Sequence, residues 1–210
     1  REALHLVGHQ GLGAQALHDA GHVERPHVHH VGGLAARGQH FAEAMAGEVG
    51  ACLGRGALGA QDRAHWTAAT TDGAESVAGG FNASLRDYGR FGMLLANDGT
   101  RMTDSGAVEI IPREFVLEAT DAARQPAGFK PRVATPYFGY GYQTWLLPGE
   151  GRQFYLRGIH GQSIFVQADT GLVMVHTAAF AQPSSRLDPA PYAEMINLWE
   201  GVVKSFSSKK

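Results

Sequence analysis

GGFNASLRDYGRFGMLLANDG, residues Gly79 to Gly99, is the stretch on which the reading of this chain turns. Ser84 followed by Leu85, Arg86 and Asp87 predicts a capped helix start: the hydroxyl accepts an orphan backbone N–H, and the carboxylate lies in the first turn near the positive end of the helix dipole. Leu85, Tyr88, Phe91, Leu94 and Leu95 recur at helical spacing on one face, with Arg86, Asp87 and Arg90 off it. Asn97-Asp98-Gly99 is a stop signal, because glycine takes a left-handed conformation without a side-chain clash. The stretch predicts an amphipathic helix with one face in a core.

Downstream, Ile110-Ile111-Pro112 leads into a short helix expected over Pro112 to Ala123, with proline at the first helical position. Asp104-Ser105-Gly106 reads as a turn, and Gln125 to Pro136 as a surface loop. Tyr137 to Leu147, Arg152 to Arg157, Gln162 to Ala168 and Leu172 to Ala178 are each rich in aromatic or β-branched residues and bounded by Pro, Gly or Asp. Pro148-Gly149-Glu150-Gly151 and Asp169-Thr170-Gly171 are hairpin-length connections, so an antiparallel meander is expected. Ala190 to Phe206, with Tyr192, Met195, Ile196, Trp199, Val202 and Val203 on one side, predicts a last amphipathic helix that covers one face of that sheet.

These residues carry a resemblance. GGFNASLRDYGRFGMLLANDG, preceded by ALGAQDRAHWT and followed by IIPREFVLEATD, YFGYGYQTWLL and GIHGQSIFVQADTGLVMVHTAAF, is similar to the C-terminal half of serine hydrolases of the class C β-lactamase type. Within them it most resembles the 6-aminohexanoate-dimer hydrolases and their esterase-like relatives. The resemblance runs from about Leu58 to Ser205. It implies an α/β (α+β) fold, an antiparallel sheet flanked by helices of the serine β-lactamase/DD-peptidase-like type, represented by its C-terminal half only. It also implies a small-molecule amide or ester substrate and no cofactor.

Length and composition are compatible with that. At 210 residues and 44% hydrophobic the chain can bury one ordinary core. A net charge of −2 gives no electrostatic reason to expect nucleic acid or an anionic membrane as partner. The single Cys52 excludes an internal disulfide framework. No apolar run approaches the roughly 18 residues of a membrane span, and no signal-peptide core follows Arg1, which favours a cytoplasmic location.

Residues 1–56 read differently. They contain no Ser, Thr, Asn, Lys, Ile, Tyr or Trp, and eight of the eleven histidines lie there: His5, His9, His18, His22, His27, His29, His30 and His40. The expected organisation is therefore a low-complexity Gly/Ala/His-rich segment over 1–56, disordered or translated out of frame, and a β-lactamase-like portion over 57–210. His27, His29 and His30, with His18 and His22 one turn apart, have spacing that chelates a borderline metal adventitiously; no second-shell partner is evident, and no metal site is assigned. Val7 to Ala14 imitates a dinucleotide phosphate loop but lacks the βαβ setting such a loop needs.

The resembled family cleaves amides or esters through an acyl-enzyme. A serine of a Ser-x-x-Lys helix attacks, the desolvated lysine takes its proton, and a tyrosine relays it to the leaving group. Here the one Ser-x-x-Lys spacing, Ser207 to Lys210, is a polar terminus that cannot desolvate a lysine, and no tyrosine precedes Tyr88. Only the third motif has a candidate, Ile159-His160-Gly161-Gln162-Ser163, where His stands for the usual Lys and the register is either His160-Gly161-Gln162 or Ile159-His160-Gly161. The resemblance makes His160, Gly161, Gln162 and Ser163 the catalytic-edge residues, with an N–H of Gln162 or Ser163 aimed at the oxyanion. Tyr140, Tyr142, Trp145 and Ile159 become substrate-cleft residues. The plain structural reading is a glycine-containing strand start with a half-buried histidine, and core packing for two of the three aromatics.

The expected function is thus a truncated homologue of a serine amidase or esterase, inactive on its own, existing as an oligomer or with a complementing N-terminal half. The contrasting expectation is a non-catalytic, His-rich metal-binding or structural protein on the same fold.

Overall fold

Ser84 opens the central helix as expected. In this computed structural model, which describes residues 4–6, 58–66 and 81–207, its hydroxyl accepts the Asp87 N–H at 3.3 Å and donates to the Asp87 carboxylate at 3.0 Å. The metal-spaced histidines, the phosphate-loop imitation and almost all of the 1–56 segment lie outside the described residues.

The described elements are strands β1 (Leu4–Leu6), β2 (His65–Trp66) and β3 (Phe81–Ala83), helix α1 (Leu85–Ala96), the hairpin β4 (Thr100–Thr103) and β5 (Gly106–Glu109), and helix α2 (Arg113–Thr120). Strands β6 (Gly139–Tyr140), β7 (Trp145–Leu146), β8 (Gln153–Arg157), β9 (Ser163–Gln167) and β10 (Leu172–His176) follow, then helix α3 (Ala190–Ser207). Strands β6 to β10 form one antiparallel sheet in the order β10-β9-β8-β7-β6, the expected meander. β3 lies between β1 and β2 in a second, three-stranded sheet.

The meander is covered on both faces, which explains why its strands read as almost continuous apolar runs. Leu146, Phe154, Leu156, Ile164 and Val166 point to α1 and pack with Tyr88, Phe91, Leu94 and Leu95. The alternate residues Trp145, Leu147, Tyr155 and Phe165 point the other way, to Tyr192, Met195 and Trp199 of α3. The architecture is helix, sheet, helix. Tyr155 stacks on Phe165 (centroids 4.8 Å apart), and Phe165 on Trp199 (5.3 Å), so one aromatic column ties the two central strands to α3.

Leu85 was placed on the core face by its spacing, but it is 49% exposed at the first turn of α1. Gly92 takes the close contact instead: a Cβ there would lie 2.5 Å from a Val173 methyl, so the helix meets the sheet backbone-first. Asp87 anchors the same helix from below. Its buried carboxylate accepts the N–H groups of Gln61 and Asp62, both at 3.0 Å, and pairs with Arg90 at 2.7 Å.

Candidate active-site edge of the sheet

Because the meander is antiparallel, its connections alternate between two ends. The β6–β7 turn, the β8–β9 connection and the chain leaving β10 all fall at one end, since Tyr140 pairs with Trp145, Arg157 with Ser163, and Ser163 with His176. Topology therefore brings Tyr140, Tyr142, Ile159, His160, Gly161 and Gln162 to a single edge.

The connection itself is a tight turn. Ile159–Gly161 forms a single 3-10 turn, closed by Gly158 N–H to the Gln162 carbonyl at 2.8 Å and by a long 3.4 Å contact from Gln162 N–H to the Ile159 carbonyl. The expected strands Arg152–Arg157 and Gln162–Ala168 leave His160 between them, while the resemblance implies a cleft-side strand for it; the structure puts His160 in the turn between β8 and β9, with a left-handed backbone (φ 56°, ψ 25°). A left-handed non-glycine residue stores about 1 kcal/mol or more, held in place by its surroundings.

Those surroundings are the residues after β10. His160 Nδ1 lies 2.7 Å from the Phe180 carbonyl, Phe180 N–H donates to the His160 carbonyl at 3.1 Å, and His160 N–H donates to the Pro183 carbonyl at 3.3 Å. The Gln162 side-chain amide donates to the Ala178 carbonyl. Gly161 sits at φ 90°, and the Phe180 ring fills the space its missing side chain leaves. From β10, His176 Nδ1 reaches the Gly161 carbonyl at 2.8 Å.

The remaining predicted residues divide. Ser163 is buried beneath the edge: its hydroxyl donates to the Gln162 carbonyl at 2.7 Å with the Met195 sulfur 3.3 Å away. Trp145 is buried against Phe138 and Tyr140. Tyr142 is buried too, its hydroxyl donating to Glu118 at 3.0 Å and its ring lying against Phe115 of α2. Tyr140 is half-buried and donates to Gln143 Oε1 at 3.2 Å; burial pushes its phenol up to about 12. Gln143, at φ 57°, is a second left-handed non-glycine residue at this edge.

Sequence reasoning did not single out His176 or Phe180. The available signal was a histidine closing the apolar strand Leu172–His176. Its partner, a backbone carbonyl fifteen positions upstream, leaves no mark in the residue types.

No family model matches the chain, and no curated protein matches it. Solved structures do. A Bacillus anthracis protein described as a 6-aminohexanoate-dimer hydrolase matches with a TM-score of 0.53 and 24% identity, over 70% of this chain and 36% of that one. A Bacteroides dorei protein described as a β-lactamase matches with a TM-score of 0.39 and 23% identity, over 60% of this chain and 42% of that one. The chain spans less than half the length of either. Its fold is α+β and serine β-lactamase-like.

Proposed function

We propose that this chain carries the sheet-and-helix portion of a serine hydrolase that cleaves linear amides or esters through an acyl-enzyme, and that the chain alone does not turn substrate over. The observation that carries the reading is the clamped Gly158–Gln162 connection, with its left-handed His160, at one edge of a serine β-lactamase-like sheet. Backbone strain held by a network of hydrogen bonds points to positioning of a reacting group. Inactivity follows from the absence of a Ser-x-x-Lys pair that could be desolvated.

In this reading a nucleophilic serine supplied from outside this chain adds to the substrate carbonyl. The serine Oγ–C bond forms as the carbonyl electrons move to oxygen; as they return, the substrate C–N or C–O bond breaks and the amine or alcohol leaves with the serine's proton, and water then cleaves the acyl ester to release the acid and restore the serine. The oxyanion would be met by the nucleophile's own N–H and by one from the connection. Gln162 N–H suits that role better than expected from sequence, because its intramolecular acceptor is a long 3.4 Å away.

The test is a nitrophenyl ester assay on the chain alone and on its fusion to an N-terminal half that carries a Ser-x-x-Lys helix. We expect no turnover or serine labelling in the first and turnover in the second. A folded fusion that labels but never turns over would overturn the hydrolase reading; turnover by the chain alone, abolished by a serine-directed reagent, would overturn the inactivity.

A further inference from the structure

The strand β10 closes one side of the five-stranded sheet and is hydrogen-bonded to β9 alone. Both its faces are covered: Val173 and Val175 pack toward α1, Leu172 and Met174 toward α3. All five residues are nonetheless half-exposed, so what β10 shows to solvent is its outer flank, a row of N–H and C=O groups that no described strand pairs. That flank lacks the usual guards against pairing, since Leu172–His176 holds no lysine, proline or carboxylate. The strand at the opposite side of the sheet, β6, is only two residues long. We infer that two copies of this chain join through their β10 strands, antiparallel about a two-fold axis at Met174, into one continuous sheet. Pairing through a single flank closes as a dimer and cannot grow further.

The helices beside β10 suit a second copy. A Cβ on Gly92 would lie 2.5 Å from a Val173 methyl and 3.0 Å from an Ile164 methyl, which centres α1 above the gap between β10 and β9. With strands about 4.8 Å apart, the two-fold axis sets the two α1 axes about 10 Å apart, the distance at which helices pack. The flank of α1 that would meet its copy carries Leu85, 49% exposed, Met93, 40% exposed, and Gly89 between them. A Cβ on Gly89 would only touch a Val175 methyl at 4.0 Å, so the chain itself has no need of a glycine there, although glycine weakens a helix interior. Gly92 lies over Val173 and Gly89 beside Val175, so the axis passes between the two glycines and brings Met93 of one copy onto Gly89 of the other. In the strands, Val173 then opposes Val175, Leu172 opposes His176, and no like charges meet. On the other face, Leu198 is 52% exposed and lies about 200° around α3 from Glu200, the partner of Tyr137 beside β6, hence on the β10 side. The joined surface is about 17 Å along β10 and about 30 Å through helix, sheet and helix, so it buries about 1,000 Å² in all, where specific interfaces begin. The dimer stands whether or not the chain completes a hydrolase.

The test is sedimentation velocity of the full chain over about a hundredfold range of concentration, which should show monomer and dimer in exchange and nothing larger. The variant with Gly89→Lys and Met93→Lys changes positions with room in the single copy, so its circular dichroism should match the parent while its dimer weakens about a hundredfold. Register is read by cross-linking in a Cys52→Ala background. Met174→Cys should oxidise to a disulfide dimer, because opposed Cα atoms in a sheet lie about 5 Å apart. Leu172→Cys, which faces His176 of the other copy, should not. A monomer at every concentration overturns the inference and shows the flank covered within one chain. A dimer indifferent to the two lysines, or cross-linked through Leu172→Cys in preference to Met174→Cys, overturns it by placing the contact elsewhere.

Discussion

The Phe180 ring occupies the space that a side chain on Gly161 would need, one ring carbon lying 2.7 Å from the position of a Cβ. That relationship locks the segment after β10 against the connection between β8 and β9. It leaves no room for substitution at Gly161, whose φ of 90° is also costly for any other residue.

Gly161→Ala is therefore expected to destabilise the chain by about 2 kcal/mol through backbone strain and displacement of Phe180. Urea unfolding of the variant beside the parent measures it. An unchanged midpoint would show that the clamp is loose.

Acid should act through Asp87. Burial alone would raise its carboxyl, but the N–H groups of Gln61 and Asp62, the Ser84 hydroxyl and Arg90 together outweigh burial and hold it below the usual carboxylate range. A depressed folded-state value gives stability that is present above the unfolded value, about 3.9, and is lost as pH falls through the lower folded value. Asp87→Asn is expected to cost about 2 kcal/mol at pH 7. The gap between variant and parent should close as pH falls below 4, followed by thermal melts across that range.

Alkali should act through two phenols. Burial pushes Tyr140 up to about 12, and burial likewise pushes Tyr155 up to about 12. A raised value means stability that is intact below the unfolded value near 10 and is lost as pH rises toward 12. The variant with Tyr140→Phe and Tyr155→Phe should unfold later on an alkaline titration than the parent, read by circular dichroism. Equal titration curves would remove the two phenols as the cause.

Trp199 closes the aromatic column and donates its indole N–H to Gln153 Oε1 at 3.2 Å, so it holds α3 to the sheet by packing and by a hydrogen bond. Trp199→Ala should cost about 4 kcal/mol. A change below 1 kcal/mol in chemical denaturation would mean that α3 is not needed to cover that face.

The central helix, the meander and the last helix were legible because each announces itself locally, by a cap, by apolar strand runs between turn residues, or by helical spacing. The hairpin of β4 and β5 was not: Thr100–Thr103 and Gly106–Glu109 are largely polar and exposed, so only the turn at Asp104-Ser105-Gly106 showed. Tyr137 to Leu147 read as one strand because its aromatics run on without a break, whereas Gln143 takes a left-handed turn that splits it into β6 and β7. The helix expected from Pro112 to Ala123 starts one residue later, with Pro112 as its cap. It ends at Thr120, where Asp121 receives the Ala123 N–H at 2.8 Å and starts a separate 3-10 turn. At the candidate site the residues were legible and their conformation was not. The left-handed His160 and its hold on Phe180 depend on chain twenty positions away.

Strands that are greasy on both sides have little to tell them which neighbour to face. Slipping β9 by one residue against β8 would exchange one apolar set for another, so burial penalises the misalignment only weakly. Alignment must then be dictated from the edge, by the five-residue bend at Gly158–Gln162 and its tether to Phe180. The residues offered here for chemistry would also be the ones that keep the strands in step, and a lesion among them would surface as misfolding before it surfaced as lost catalysis.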